Sequence, residues 1–292
     1  YRNDKINEVI ETLGKVLLAH VDVIKGNFHP KARFLAIMVR RLIEGFIDPT
    51  KVDDKDYYGN KRLELAGQLI SLLFEDLFKK YNSDLKKIID SNLVKDPEFD
   101  VFTQMRGDTI TRGLANSIST GNWVVKRFKM RRAGITQVLN RISYIACLGM
   151  MTRINSQFEK TRKISGPRSL QPSQWGMVCP SDTPEGESCG LVKNLALLSH
   201  VTTDQSEKSI TNLCISLGVE DISLISGEEI NSPGAYLVYV NCIPIGIHNH
   251  PHDFCNNFRL LRRKGKIHQF DSVSKNDNLS SIVVACDGGR IK

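Results

Sequence analysis

A dense run of basic side chains lies between Thr120 and Arg168. Eleven lysines and arginines occur there with a single acid, Glu159, which gives the segment a charge of +10. Because the whole chain of 292 residues carries only +8, the remainder sums to −2 and the basic charge is local. Lysine and arginine neutralise phosphates and release their counterions. The segment therefore favours binding of nucleic acid, and a solvated basic face is the alternative.

Several of these cations flank or lie within a stretch that is punctuated by Gly166-Pro167 and Pro172. They are Arg153, Lys160, Arg162, Lys163 and Arg168. A loop can place such side chains against a phosphate backbone without regard to base sequence. We expect these five cations to be the contacts to nucleic acid.

An acidic segment, residues 179–187, follows and reads Cys-Pro-Ser-Asp-Thr-Pro-Glu-Gly-Glu. Its Thr-Pro-Glu-Gly step is typical of a type I turn, with Pro184 second and Gly186 fourth. Three carboxylates lie here next to the basic loop, those of Asp182, Glu185 and Glu187. They are suited either to ordering that loop or to contacting a metal-bound nucleotide. The alternative is a rigid turn with a solvated acidic rim.

The sequence predicts neither a metal site nor a catalytic residue. His248, His250 and His252 alternate near Cys242 and Cys255, but the paired C-x2-C ligands of structural zinc are missing. No phosphate-binding loop, nucleophile elbow or H-E-x-x-H motif occurs. The seven cysteines are odd in number, and we expect reduced thiols in an intracellular protein. No uncharged apolar stretch is long enough to predict a membrane span.

Helical periodicity dominates the elements before residue 120. Apolar spacing predicts helices over residues 6–24, 34–46, 65–78 and 100–117, with Pro49 ending the second. A further helix is predicted over residues 135–151, with its apolar residues inward. These are Ile135, Val138, Leu139, Ile142, Ile145 and Leu148.

Beyond residue 155 the periodicity stops. Residues 155–187 are expected to be irregular, with a strand beginning near Leu191. After residue 200 we predict a helix over residues 209–217, a second helix capped by Asp253, and strands over residues 236–240 and 281–286. The fold class is therefore α+β, a multidomain fragment with a helix-rich N-terminal part, an irregular middle segment and a small α+β C-terminal module. We expect a piece of a longer polypeptide, since Tyr1 is no natural start.

The irregular middle segment carries a resemblance to a known family. The family pattern is His or Gln, then Trp or Tyr, then Gly; next Cys-Pro-x-[DE]-Thr-Pro-Glu-Gly; and then Gly-Leu followed by Val or Ile. It is matched here by Gln174-Trp175-Gly176, residues 179–186 and Gly190-Leu191-Val192. Further support comes from residues 58–67, 119–123 and 132–139. The chain resembles the second-largest, β-like subunit of multisubunit DNA-dependent RNA polymerases. The wording of residues 157–163 and 169–173 is most similar to the eukaryotic polymerase III form.

The resemblance implies a division into four named domains. Residues 1–50 correspond to the end of the lobe, 51–110 to the second part of the protrusion, 111–199 to the fork and 200–292 to the first external domain. Residues 155–165 correspond to the second fork loop, which in the family lies at the downstream edge of the transcription bubble. The resemblance thus implies a nucleotidyltransferase of which this fragment alone is inactive.

The resemblance also implies cofactors, partners and location. The family holds its catalytic Mg2+ mainly on the largest subunit, and its Zn2+ clamp lies later in the chain than Lys292. The implied partners are the largest and other polymerase subunits, template and non-template DNA, the RNA–DNA hybrid and nucleoside triphosphates, with no membrane. The implied location is the nucleus.

The family pattern adds residues to the candidate site. Gln171 joins the five cations as a nucleic-acid contact, and the remaining candidates shape the fork. These fork and turn residues are Gly166, Pro167, Trp175, Asp182, Pro184, Glu185 and Gly186. Two alternatives stay open, a stand-alone nucleic-acid-binding module and a scaffold whose basic segment contacts an acidic protein.

Overall fold

The computed structural model describes residues 2–93, 100–105, 107–125 and 130–292. Helices account for 45% of the residues and strands for 14%, which confirms the predicted α+β class. The chain divides into two compact units, residues 1–61 with 200–292 and residues 62–199. Lys126, Arg127 and Lys129 of the basic run lie outside the described residues.

The first unit combines two N-terminal helices with an α+β module. Its elements are α1 (Arg2–Lys15), α2 (His29–Ile47), α7 (Glu207–Ser216), β5 (Glu220–Asp221), α8 (Gly227–Ile230), β6 (Tyr236–Val240), β7 (Ile243–His248), α9 (Pro251–Arg263), β8 (Ser272–Asn276) and β9 (Ser281–Ala285). The five strands form one sheet in the order β5-β7-β6-β9-β8. The β6–β9 pair is parallel and the other pairs are antiparallel.

The core of the first unit lies between this sheet and helices α7 and α9. Val238, Ile282 and Val284 of the sheet are fully buried, as are Phe254 and Phe258 of α9. The spacing of four residues between the two phenylalanines places both on one face of the helix. This core confirms the predicted strands and the predicted inward face of α9.

A buried lysine joins α1 to α2. Lys31 is 3% exposed, and its ammonium donates to the carbonyl oxygens of Leu13, Gly14 and Leu17 at 2.8, 2.7 and 2.6 Å. These carbonyls lie at the end of α1, where no backbone partner remains and the helix dipole favours a cation. The helix therefore ends at Lys15, whereas the apolar spacing predicted that it would continue to residue 24.

The second unit begins with helices and ends with short strands. Its elements are α3 (Ala66–Leu93), α4 (Val101–Gln104), α5 (Asp108–Thr120), β1 (Trp123–Val125), β2 (Met130–Arg132), α6 (Tyr144–Met151), β3 (Arg153–Asn155) and β4 (Val192–Asn194). Helix α5 packs closely on α3, because a Cβ at Gly113 would overlap the side chain of Leu77. Trp123 is 2% exposed and donates from Nε1 to the Leu69 carbonyl at 3.0 Å, which ties β1 to α3.

The helix predicted over residues 135–151 is wrong for its first half. The preceding residues are tied to α5, since the Thr136 hydroxyl donates to the Ile118 carbonyl at 2.7 Å and the Ile135 amide donates to Gly121. The helix starts only after Ser143, whose hydroxyl accepts from the Ala146 amide at 3.1 Å. Val138, Ile142, Ile145 and Leu148, predicted inward, are 84%, 87%, 73% and 44% exposed in this chain.

Two other helix predictions need correction. The single helix over residues 100–117 is instead α4 and α5, with Gly107 as the residue that precedes α5. The cap of α9 is His250 rather than Asp253, which lies in the first turn behind Pro251. Proline suits the first turn because it has no amide hydrogen to leave unpaired. None of the described helices is both long and apolar enough to span a bilayer.

Candidate nucleic-acid interface

The candidate site is built on the short antiparallel pair β3–β4. Arg153 pairs with Asn194, Ile154 with Lys193 and Asn155 with Val192. All three residues of β4 are less than 9% exposed, although two of them are polar. Buried polar side chains require hydrogen-bond partners. The partners of β4 come from the two loops that the sequence singled out.

Each residue of β4 holds a loop. The Lys193 ammonium donates to the Pro167 carbonyl at 3.2 Å, and Asn194 Nδ2 donates to the carboxylate of Asp182 at 2.6 Å. The Val192 carbonyl accepts from the Thr183 hydroxyl at 3.0 Å. Strand β4 is therefore a platform that carries both the basic loop, residues 156–168, and the acidic segment.

Arg168 joins the basic loop to the acidic segment directly. Its Nη1 donates to the carbonyl oxygens of Glu187 and Cys189, both at 2.7 Å. Its Nη2 donates to the carbonyl oxygens of Lys160 at 2.7 Å and Arg162 at 3.1 Å. All four terminal N–H groups of the guanidinium thus donate hydrogen bonds to main-chain carbonyl oxygens of this chain.

A glycine allows this close approach. Gly190 has a φ of +76°, and a Cβ there would overlap the backbone of Arg168. Its amide donates to the Thr183 hydroxyl at 2.8 Å. Glycine is the residue that combines a positive φ with the absence of a side chain. The Cys-Gly-Leu step of the sequence therefore has a packing reason.

Three of the predicted cations are displayed to solvent. Lys160, Arg162 and Lys163 are exposed on the basic loop, and Arg162 forms a solvent-exposed ion pair with Glu159 at 3.1 Å. Such a surface pair contributes little stability, so both side chains remain available for other contacts. Arg153 is exposed on β3, next to the start of the loop.

The start of the basic loop is tied to a residue that the sequence did not single out. The Glu64 carboxylate accepts from Gln157 Nε2 at 3.1 Å and forms an ion pair with Arg132. Glu64 therefore forms an ion pair with one of the eleven cations and also anchors the first residues of the basic loop. No local signal marks Glu64, because its partners lie far along the chain.

The backbone of the acidic segment differs from the predicted type I turn. Glu185 is extended, with φ −76° and ψ 162°, where a type I turn requires a ψ near 0°. Gly186 follows with a φ of +81° and opens a short 3-10 helix, Gly186–Ser188. The Asp182 carboxylate braces the segment on β4, whereas Glu185 is exposed.

Cys179 begins the acidic segment in a polar setting. The backbone amides of Ser181 and Asp182, together with the Ser181 hydroxyl, lower the pKa of the Cys179 thiol. Amide donors that converge on sulfur stabilise the thiolate.

The two halves of the Gln-Trp-Gly step behave in opposite ways. Trp175 is 92% exposed, whereas Gln174 is 4% exposed. Gln171 is half-buried and precedes the 3-10 helix Pro172–Gln174, and Gly166-Pro167 opens the 3-10 helix Gly166–Arg168. The sequence analysis did not single out Lys193 and Asn194, because polar residues inside a buried strand carry no periodic signal.

The histidines near residue 250 are engaged in hydrogen bonds. His248 Nδ1 accepts from the His250 amide at 2.9 Å, and His252 Nε2 contacts the Lys275 ammonium at 2.9 Å. Among the residues that the structure describes, no three His, Cys, Asp or Glu side chains form a group able to hold a metal ion. The described part of the chain therefore does not fit a resident Mg2+ or Zn2+.

Three family models match successive parts of the chain. They are described as RNA polymerase Rpb2, domain 2, over residues 3–64, domain 3 over residues 137–201, and domain 4 over residues 238–292. The second match contains the β3–β4 platform, the basic loop and the acidic segment. The chain belongs to the Rpb2 family.

Relatives in the family refine this assignment. The chain is 57% identical to DNA-directed RNA polymerase III subunit RPC2 of Schizosaccharomyces pombe, over 97% of this chain and 25% of that protein. It is 53% identical to the same subunit of Saccharomyces cerevisiae, over 98% and 25%. Identity to DNA-directed RNA polymerase II subunit RPB2 of S. pombe is 35%, over 99% and 24%.

The chain spans about a quarter of the length of the curated relatives it matches. The higher identity to the polymerase III subunits agrees with the wording of residues 157–163. The resemblance that the sequence predicted is confirmed at the level of the family.

Proposed function

We propose that this chain is part of the second-largest subunit of a DNA-directed RNA polymerase, most similar to polymerase III. In that enzyme, residues 111–199 form the fork beside the active centre and contact the DNA bubble and the RNA–DNA hybrid. One observation carries the proposal: Lys160, Arg162 and Lys163 are exposed on the basic loop, whose start is tied to Glu64 and whose end is held by the β3–β4 platform.

The held loop suits contact with a nucleic-acid backbone. Its cations neutralise phosphates irrespective of base sequence, as an enzyme that transcribes different templates requires. Because β4 and Arg168 hold the loop beforehand, little conformational entropy is lost on binding. Arg153 and Gln171 flank the loop and extend the same surface.

The domain division follows the same family logic. We assign residues 1–50 to the end of the lobe, 51–110 to the protrusion, 111–199 to the fork and 200–292 to the first external domain. The matches to Rpb2 domains 2, 3 and 4, in that order along the chain, support this division.

The chemistry of the reaction belongs to the assembled enzyme. Phosphoryl transfer depends on positioning and on metal-ion electrostatics, and the described residues offer no metal ligand set. We assign the Mg2+ ligands mainly to the largest subunit and Zn2+ to a later part of this subunit. The proposed partners are the other polymerase subunits, DNA, the RNA–DNA hybrid and nucleoside triphosphates, in the nucleus.

The stand-alone module is the weaker candidate. Helices α1 and α2 expose many large apolar side chains, among them Leu42, Phe46 and Ile47 at 72%, 90% and 76%. Contiguous apolar surface of this kind is typical of a protein interface. It favours a place within a larger assembly.

Photocrosslinking tests the position of the loop. A photoreactive amino acid replaces Lys163 in the full-length subunit, which is assembled into polymerase on a defined transcription bubble. We expect crosslinks to the downstream edge of the bubble. The matched control carries the same group at Lys79, an exposed lysine of α3. Crosslinks from position 163 to other subunits alone would overturn the proposed nucleic-acid contact.

A further inference from the structure

Arg168 differs from the other cations of the basic loop in what its charge contacts. Lys160, Arg162 and Lys163 expose their side chains, whereas the Arg168 side chain is half-buried and its terminal nitrogens donate four hydrogen bonds to main-chain carbonyls. A guanidinium in this state has no terminal N–H group left for a phosphate oxygen.

We propose that Arg168 is a positioning residue, which fixes the basic loop to the acidic segment and does not itself neutralise a phosphate. The inference rests on the proposed function, because the loop that Arg168 positions is the one assigned to nucleic acid. It also replaces the phosphate contact that the sequence predicted for this residue.

The pattern of acceptors supports this role. Nη2 reaches the carbonyls of Lys160 and Arg162, the two residues that bracket the middle of the basic loop. Nη1 reaches the carbonyls of Glu187 and Cys189 at the end of the acidic segment. One planar group therefore joins two segments that lie 27 residues apart along the chain. Hydrogen bonds that a charged donor makes are stronger than neutral ones.

The main chain of Arg168 is held as firmly as its side chain. Gly190 packs against its backbone with no space for a side chain, and the buried Lys193 donates to the preceding carbonyl, that of Pro167. The guanidinium therefore starts from a defined point on the platform. This support is what a positioning group requires.

Lysine cannot reproduce this arrangement. Its ammonium concentrates three donors on one atom, whereas arginine spreads its donors over a rigid planar fork. One nitrogen cannot reach carbonyls on both segments in the geometry that Nη1 and Nη2 share. Arg168→Lys keeps the positive charge and loses the bridge, so it separates positioning from charge.

The experiment uses the full-length subunit assembled into polymerase on a nucleic-acid scaffold. The variants are Arg168→Ala, Arg168→Lys and Lys163→Ala. The control is Arg112→Ala, which removes an arginine whose ion pair lies within helix α5. Two quantities are measured: the salt dependence of scaffold binding, and the distance distribution between spin labels introduced as unnatural amino acids at Thr161 and Glu187.

Positioning and phosphate contact predict opposite results. We expect both Arg168 variants to broaden the distance distribution and to leave the slope of log Kobs against log salt unchanged. Lys163→Ala should lower that slope by about one and leave the distances narrow. Arg112→Ala should change neither quantity.

Two other outcomes would separate a failure of the positioning role from a failure of the proposed function. A slope lowered by about one in Arg168→Ala, with a narrow distance distribution, would overturn the positioning role and leave the fork contact standing. An unchanged slope in Lys163→Ala, with broad distances in both Arg168 variants, would instead contradict the proposed nucleic-acid contact. If Arg168→Ala fails to assemble, Arg168→Lys decides between the two roles.

Discussion

Among single residues, the cysteines show how strongly the local environment changes the pKa of one kind of side chain. Burial raises the pKa of Cys214 to about 12, and Cys286, also fully buried, has a raised pKa for the same reason. Cys179, held near the amides of Ser181 and Asp182, has a lowered pKa. The first two behave as apolar core residues, and the third retains more thiolate than an ordinary cysteine.

This difference predicts a pH profile for alkylation by iodoacetamide. Because the thiolate is the nucleophile, a lowered pKa keeps Cys179 reactive as the pH falls below the range of a free thiol. Cys214 and Cys286 should stay unmodified at pH 8 in the native protein. Peptide mass spectrometry after timed labelling measures each rate, with N-acetylcysteine as the reference. Equal rates at Cys179 and Cys214 would contradict the assignment.

Residue type alone also does not show which of the two tryptophans is buried. Trp123 is buried and donates to the Leu69 carbonyl, whereas Trp175 is 92% exposed. Both follow a short polar stretch in the sequence, so their neighbours do not separate them. Only the packing of β1 against α3 places the first indole in the core.

At the scale of elements, β4 decides the geometry of the site. Three residues suffice, because a buried strand presents both backbone carbonyls and polar side chains to the loops around it. Val192, Lys193 and Asn194 each hold one loop segment, and Gly190 admits the Arg168 backbone immediately before the strand. The loops are irregular in backbone and nonetheless well anchored.

Substitution of Gly190 tests this packing. Gly190→Ala introduces a Cβ that overlaps the Arg168 backbone at a positive φ, which should cost about 2–5 kcal/mol of local stability. Gly186→Ala is the matched control, since Gly186 also has a positive φ but faces open space. That control should cost only about 1–2 kcal/mol.

Amide hydrogen exchange in the assembled subunit measures both effects. Gly190→Ala should accelerate exchange at the amides of Ser169 and Leu191, which are hydrogen-bonded beside the contact. Equal protection in the two glycine variants would show that the Arg168–Gly190 contact does not hold the platform.

For the whole molecule, the basic charge and the exposed apolar side chains occupy different parts of the chain. The basic charge is concentrated between Thr120 and Arg168, whereas large apolar side chains are exposed on α1 and α2 and at other positions such as Leu197 and Leu198. The first feature suits nucleic acid, and the second suits contact with protein. Both agree with a chain that spans a quarter of its relatives.

The apolar surface predicts the behaviour of the chain expressed by itself. We expect self-association in size-exclusion chromatography and binding of the dye ANS, because Leu42 and Phe46 are 72% and 90% exposed. The double variant Leu42→Glu/Phe46→Glu should reduce both signals. Lys15→Glu, a charge change on an exposed residue of α1, is the control and should reduce neither. A monomer that binds no ANS would contradict the prediction.

The sequence by itself determined the family, the α+β class, two of the five strands of the C-terminal module (β6 and β9) and the irregular character of residues 155–187. These features depend on short sequence motifs and on local periodicity, both of which can be recognised from residues that are close together in the sequence. The same periodicity predicted a helix over residues 135–142 that does not form, and there Ile135 and Thr136 donate instead to the end of α5.

Only the tertiary structure decided which polar groups meet. In the sequence, Arg168 is indistinguishable from the other cations of the basic loop. In the structure it donates hydrogen bonds to the carbonyl oxygens of Glu187 and Cys189, which lie 19 and 21 residues away. Folding likewise brings together the hydrogen-bond partners of three other residues that hold the loops, Lys193, Asn194 and Glu64. Hydrogen-bond geometry depends on distance in space, and spacing along the chain reports that distance only within one helix or strand.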